Sequence, residues 1–228
     1  PQISAGPDAA TCEGNTYLLA GATALDYSSL LWTSSGSGWF SNSATLNPIY
    51  TPSPADIING NVTLTLTAIS LLPCTGQVTD DMVLTVEPGP VVNAGIDEVI
   101  CVGSFTLTNA TASNYNTLQW ISSGSSGTLL NSLTITPTYM PSAADILAGS
   151  VVLTLTATPN TPCSVDAVDQ MVITIRPITA ISAGADVTIC QGSTFTPNTA
   201  TAVNYSTLLW TSSGSGAFIN SNTLTPTY

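Results

Sequence analysis

The chain has 228 residues with one arginine (Arg176), no lysine, no histidine and 13 acidic residues, a formal net charge of −12. Such a surface repels phosphate backbones and anionic headgroups, which excludes nucleic acid as a partner, and no apolar run approaches the ~20 residues of a spanning helix, which excludes direct membrane insertion. Without His or Lys, neither a Ser-His-Asp triad nor a Ser-Lys dyad can be built, and 43% hydrophobic residues argue against a disordered acidic polymer.

From the N-terminus, residues 3–11 predict a first strand ending at Cys12-Glu13-Gly14, and residues 16–24 a second, matched by 105–112 and 194–202. Leu30-Leu31-Trp32-Thr33 is a third, echoed by Leu118-Gln119-Trp120-Ile121 and Leu208-Leu209-Trp210-Thr211. Trp32, Trp120 and Trp210 are expected in the core. Ser34-Ser35-Gly36-Ser37-Gly38, identical to Ser212-Ser213-Gly214-Ser215-Gly216, is expected to be a hairpin turn, because small residues between two β runs let the chain reverse. One helical turn is expected at Pro54-Ala55-Asp56-Ile57 behind the cap Ser53, and another at 143–147 behind Ser142.

Val62-Thr63-Leu64-Thr65-Leu66-Thr67-Ala68 alternates with period two, so Val62, Leu64 and Leu66 should face a core and the threonines water. Residues 151–157 repeat the pattern. The last strand, Met82-Val83-Leu84-Thr85-Val86, recurs as Met171-Val172-Ile173-Thr174-Ile175. Each stops near a proline, Pro88 or Pro177, which has no N–H for a ladder. The linkers that follow, Pro88-Gly89-Pro90 and Pro177-Ile178-Thr179, are short and stiff.

These elements recur at one step. Ala5-Gly6, Ala94-Gly95 and Ala183-Gly184 are 89 residues apart, as are Cys12, Cys101 and Cys190, and Tyr50, Tyr139 and Tyr228. The tryptophans slip by one, 88 and then 90 residues, as surface loops allow. Such a period is too long for a solenoid unit and fits one small all-β domain of about 100 residues. The expectation is an all-β chain of tandem Ig-like or PKD-like β-sandwich domains arranged end to end: residues 1–88, 89–177 and a partial third, 178–228. The third stops at Tyr228, the counterpart of Tyr50. We expect the natural polypeptide to continue; completion by another chain is the alternative.

Two regularly placed cysteines per repeat suit an oxidising compartment, hence an extracellular or cell-surface location. Pairing within a repeat would join Cys12 to Cys74 and Cys101 to Cys163. Yet Cys12 precedes the second strand and Cys74 follows the sixth, at opposite poles of a sandwich, whereas a disulfide needs Cα atoms within about 7 Å. End-to-end stacking brings the first turn of one domain against the last loop of the next. A head-to-tail bond, Cys12–Cys163, is therefore expected, with the within-repeat pairs as the alternative. Zinc has neither His nor Cys-x-x-Cys to hold it.

No cofactor is expected, apart from calcium as a minor candidate. Asp8, Asp97 and Asp186 recur with the repeat, as do Asp56 with Asp145 and Asp80 with Asp169. Calcium takes six to eight oxygens and no Asp-x-Asp-x-Asp-Gly loop is present; Asp is also favoured in turns by local hydrogen bonds. Paired carboxylates for glycoside hydrolysis fail similarly: Asp80 and Asp81 are adjacent on a strand and point to opposite faces, and position 170 is Gln. Trp39, which does not recur, is a weak candidate for stacking on sugar.

The order Ala-Gly-x-Asp, Ile-Cys-x-Gly, Leu-Trp, Pro-Thr-Tyr, Leu-Thr-Leu-Thr-Ala and Pro-Cys resembles PKD-like and Ig-like repeats. Such repeats occur in large surface proteins of Bacteroidota, including gliding-motility adhesins exported by type IX secretion. Here it stands as Ala183-Gly184-Ala185-Asp186, Ile189-Cys190-Gln191-Gly192, Leu209-Trp210, Pro226-Thr227-Tyr228, residues 153–157 and Pro162-Cys163. The resemblance covers nearly the whole chain. It implies surface display, adhesion or filament formation and no catalysis. The partners expected are neighbouring repeats of the same chain, with surface glycans or other cells beyond them. The reading is thus a structural or adhesive spacer of a long adhesin or filament. Its rivals are a carbohydrate-binding accessory array of a secreted enzyme and a filament subunit completed by strand exchange.

Overall fold

The computed structural model describes every residue except Ser125. Repeat one runs β1 (Gln2–Ser4), β2 (Ala9–Cys12), β3 (Tyr17–Leu18), β4 (Thr23–Leu25), β5 (Tyr27–Ser34), β6 (Trp39–Phe40), β7 (Ile49–Thr51), α1 (Pro54–Asn59), β8 (Asn61–Ser70) and β9 (Gln77–Glu87). Repeat two runs β10 (Val91–Asn93), β11 (Glu98–Cys101), β12 (Phe105–Thr106), β13 (Thr111–Ser113), β14 (Tyr115–Ser123), β15 (Thr128–Leu130), β16 (Thr138–Met140), α2 (Ala143–Ala148), β17 (Ser150–Pro159) and β18 (Ala167–Arg176). β19 (Ala180–Ser182) and β20 (Thr201–Val203) open repeat three. The chain is all-β, in sandwich units in tandem.

Repeats one and two have one topology. A four-stranded sheet, β2-β9-β8-β5, faces a three-stranded one, β3-β7-β6, with β1 and β4 paired beside them; β11-β18-β17-β14, β12-β16-β15 and β10-β13 repeat the plan. The Thr/Leu alternation places Val62, Leu64, Leu66 and Ala68 of β8 wholly inside, while Thr63, Thr65 and Thr67 stay half-buried. Trp32 of β5 sits opposite Leu66 of β8, as Trp120 of β14 sits opposite Leu155 of β17. Two separate cores result. One is centred on Trp32, Tyr50, Leu64 and Leu84, the other on Trp120, Tyr139, Leu153 and Ile173. Each such buried aliphatic side chain contributes roughly 1.5–3 kcal/mol.

Three expectations are corrected. The first strand is not continuous: it breaks at Gly6 (φ 96°) and Pro7, so that β1 pairs antiparallel with β4 while β2 pairs parallel with β9. Gly6 is required there, since a Cβ would sit 3.1 Å from the Gly21 carbonyl carbon and the left-handed backbone disfavours side chains. Ser34-Ser35-Gly36-Ser37-Gly38 is not a hairpin either. β5 pairs with β8 and β6 with β7, so the stretch crosses from one sheet to the other.

Trp210, thirdly, is only half-buried. Among the described residues of repeat three no four-stranded sheet forms, so nothing stands where Leu66 and Leu155 cover the other two tryptophans. The small-sheet half is nevertheless shaped as in repeat one. Phe218 and Tyr228 lie 4.9 Å apart between ring centroids, as Phe40 and Tyr50 do, and Phe195 and Tyr228 exchange backbone hydrogen bonds of 3.1 and 2.9 Å.

Candidate functional site: the junction between repeats

The parallel pairing of β2 on β9 sets Cys12 beside Glu87, the last strand residue of repeat one. The turn after β2 is fixed by Glu13 N–H donating to the Glu87 carbonyl (2.8 Å) and Asn15 N–H to the Cys12 carbonyl (3.1 Å). From repeat two, the loop between β17 and β18 reaches back over the Pro88-Gly89-Pro90 linker. Cys163 in that loop is disulfide-bonded to Cys12, with Cα atoms 4.8 Å apart. Beside the bond, Asn160 Nδ2 donates to Glu87 Oε1 at 3.0 Å. The Cys163 sulfur lies 3.5 Å from the Glu87 carbonyl oxygen, a contact without a proton because the sulfur is oxidised. The within-repeat pairs Cys12–Cys74 and Cys101–Cys163 are not formed. Cys163 is taken by Cys12, and Cys74 and Cys101 are free and exposed at other poles.

Most of the aspartates put forward for calcium accept backbone N–H groups. Asp80 Oδ2 accepts the Ala5 N–H at 2.8 Å and Asp169 Oδ2 the Ala94 N–H at 2.7 Å, both where the first strand changes sheet. Asp8 and Asp97 accept the N–H groups of Val83 and Val172, at 2.8 Å each. These four carboxylates clasp the split first strand to the last one. Asp186 has no such partner among the described residues, because a counterpart of β9 is not there to supply it. Among the described residues no three His, Cys, Asp or Glu side chains converge as a metal group would need.

Asp56 and Asp145 form a feature that sequence reasoning missed. Asp56 is fully buried, and its carboxylate accepts Tyr50 Oη (2.9 Å), Ser53 N–H (2.8 Å), Gly38 N–H (3.0 Å) and Ser37 N–H (3.2 Å). In return the Asp56 N–H donates to Ser53 Oγ, closing a capping box on α1. The Ser-Gly crossover is therefore a wrap around a carboxylate, and a Cβ on Gly36 or Gly38 would collide with Asp56 or Tyr50. Burial by itself would raise the Asp56 pKa. The Ser53 amide, the Tyr50 hydroxyl and the remaining donors outweigh it, and the carboxyl stays below its ordinary value. Burial, with the Asp56 charge nearby, pushes the Tyr50 phenol up. Asp145 accepts Tyr139 Oη and Ser142 N–H, both at 2.8 Å, in the same way. The signal available in sequence was the Tyr that recurs six residues before each Asp, with a Ser three residues before it.

Trp39 is 62% exposed, at a two-residue strand. Asp80 is half-buried and Asp81 exposed, so the structure does not bring these two carboxylates to one face.

No family model matches the chain, and no curated protein matches it in sequence. Solved structures are similar in fold. The crystal structure of mouse cadherin-23 EC22-24 aligns over 97% of this chain and 84% of that one, at 15% identity and a TM-score of 0.50. A protocadherin gammaB7 EC3-6 cis-dimer structure aligns over 99% of this chain and 64% of that one, at 10% identity and a TM-score of 0.48. At these identities the likeness to cadherin-23 is one of fold: β-sandwich domains in tandem.

Proposed function

We propose that this chain is a structural spacer of an extracellular adhesive array, without catalysis, in which each repeat is one domain bounded near residues 88 and 177. The observation that carries the reading is the disulfide at the junction. It ties the edge strand of one sandwich to a loop of the next across a linker of Pro88-Gly89-Pro90. Such a bond needs an oxidising compartment, and it holds geometry between units rather than a site. Small-angle scattering tests it: the oxidised chain should keep one narrow distribution of lengths, which broadens on reduction. A flexible distribution in both states would remove the spacer role.

The finer assignment, to repeats of large Bacteroidota surface proteins such as gliding-motility adhesins, is supported by the sequence motifs. Surface labelling of a native cell, with and without its type IX export machinery, tests it.

A second reading is completion of repeat three by strands from outside residues 178–228, whether of the same polypeptide or of a second copy by strand exchange. Ile181, Leu208, Trp210 and Leu224 line an open hollow of about 340 Å³. Its counterparts in the other repeats are filled by the strand pairs β8–β9 and β17–β18. Mass that grows with concentration in light scattering, under reducing conditions, would support the exchange; a constant monomer would not.

A further inference from the structure

The bonded junction consists of two halves, and each half recurs elsewhere with its thiol open. One half is the loop cysteine. Cys163 sits in a turn whose N–H donates to the Asn160 carbonyl at 2.9 Å. Cys74, 89 residues earlier, sits in the corresponding turn, its N–H donating to the Leu71 carbonyl at 3.0 Å. The other half is the strand-end cysteine. Cys12 lies in register with Glu87, and the next N–H, that of Glu13, donates to the Glu87 carbonyl. Cys101 lies in register with Arg176, and the Val102 N–H donates to the Arg176 carbonyl at 3.2 Å. Cys74 and Cys101 are both free and exposed. At the tip that bears Cys74, Leu71 and Leu72 are 50% and 88% exposed, where the bonded junction has Asn160 and Thr161.

We propose that Cys74 and Cys101 are open halves of the same bond, each closed by a further repeat of this kind: Cys74 by a strand-end cysteine, Cys101 by a loop cysteine. The inference rests on the spacer reading and adds a pairing rule to it. Loop cysteines join only strand-end cysteines, so disulfides form a polar ladder along the array. Formation consumes an oxidant of the disulfide class. One thiolate attacks oxidised glutathione and releases one glutathione. The partner thiolate then attacks the mixed disulfide and releases the second, so two protein thiols are oxidised as one disulfide is reduced.

A second copy of the chain serves as the probe. The whole chain is concentrated in a glutathione redox buffer, blocked by alkylation, and mapped without reduction. The expected product is a covalent oligomer in which Cys74 of one copy is joined to the strand-end Cys101, or to Cys190, its free counterpart 89 residues on, of another. Cys74→Ser should abolish the oligomer and leave the Cys12–Cys163 peptide unchanged. Cys74–Cys74 or Cys101–Cys190 links would overturn the rule, as would free Cys74 in a sample whose Cys12–Cys163 bond is complete. Scattering on the C74S chain reads the spacer property separately, so either idea can fail without the other.

Discussion

Cys12 lies opposite Glu87 in parallel register, and this pairing carries the first strand's cysteine to the boundary between repeats. Had β2 continued β1 in the antiparallel pair with β4, that edge contact would not exist. The sheet switch at Gly6-Pro7 thus underlies the junction. It also decides where load travels. The bond spans 151 residues of sequence, so tension applied at the ends bypasses repeat one after Cys12, the linker, and most of repeat two.

Single-molecule pulling on the oxidised chain should therefore extend it by no more than residues 1–12 and 163–228 allow, about 270 Å of contour. Under a reductant the full chain becomes available, about 800 Å. Equal contour lengths in both conditions would show that the bond does not carry load.

The Asp56 knot predicts a stability loss without a functional site. Asp56→Ala removes the acceptor of a buried hydroxyl and three backbone N–H groups, and should cost about 2–4 kcal/mol in denaturant unfolding. Gly38→Ala should cost a similar amount, about 2–4 kcal/mol, because its Cβ would fall 2.5 Å from the Thr51 carbonyl oxygen, a backbone atom that cannot swing away. A neutral result for both would mean that the crossover does not organise the repeat.

Much of this architecture was legible in the sequence, for physical reasons. Strand alternation at Val62, Leu64 and Leu66 is a property of the pleat and survives any context. The helix at α1 is announced by Ser53 and Pro54. The Ser-Gly crossover was misread because its partner, Asp56, lies 18 residues beyond Gly38, and a turn Asp looks the same whether it faces water or a cage of N–H donors. The break at Gly6 was missed similarly, since the residues on both sides have strand character and only tertiary pairing separates them. Trp210 was placed in a core by analogy, although its cover would come from strands that repeat three does not show.

Acid should act through the same knot. The Asp56 pKa lies below its unfolded value of about 3.9. Its stabilisation is thus complete above that value and is lost as the pH falls through the lower, folded one. Unfolding free energy measured down the acid limb should decline more steeply in the parent chain than in Asp56→Asn, which has no proton to gain there. Parallel acid limbs would place the acid-sensitive group elsewhere.

Calcium provides the last test, because the repeat spacing of the aspartates suggests it while each of four carboxylates already holds a backbone donor. Asp8, Asp80, Asp97 and Asp169 already accept backbone N–H groups at 2.7–2.8 Å, and a cation would have to displace those donors. Thermal unfolding in millimolar calcium should match that in a chelator, to within a degree or so, with no heat in calorimetric titration. Asp80→Asn, by contrast, should destabilise repeat one by about 1–3 kcal/mol, because the Ala5 N–H loses a charged acceptor. A calcium-dependent rise in the midpoint that Asp80→Asn abolishes would show that these carboxylates exchange N–H donors for metal, and that the clasp on the first strand is a cation site in waiting.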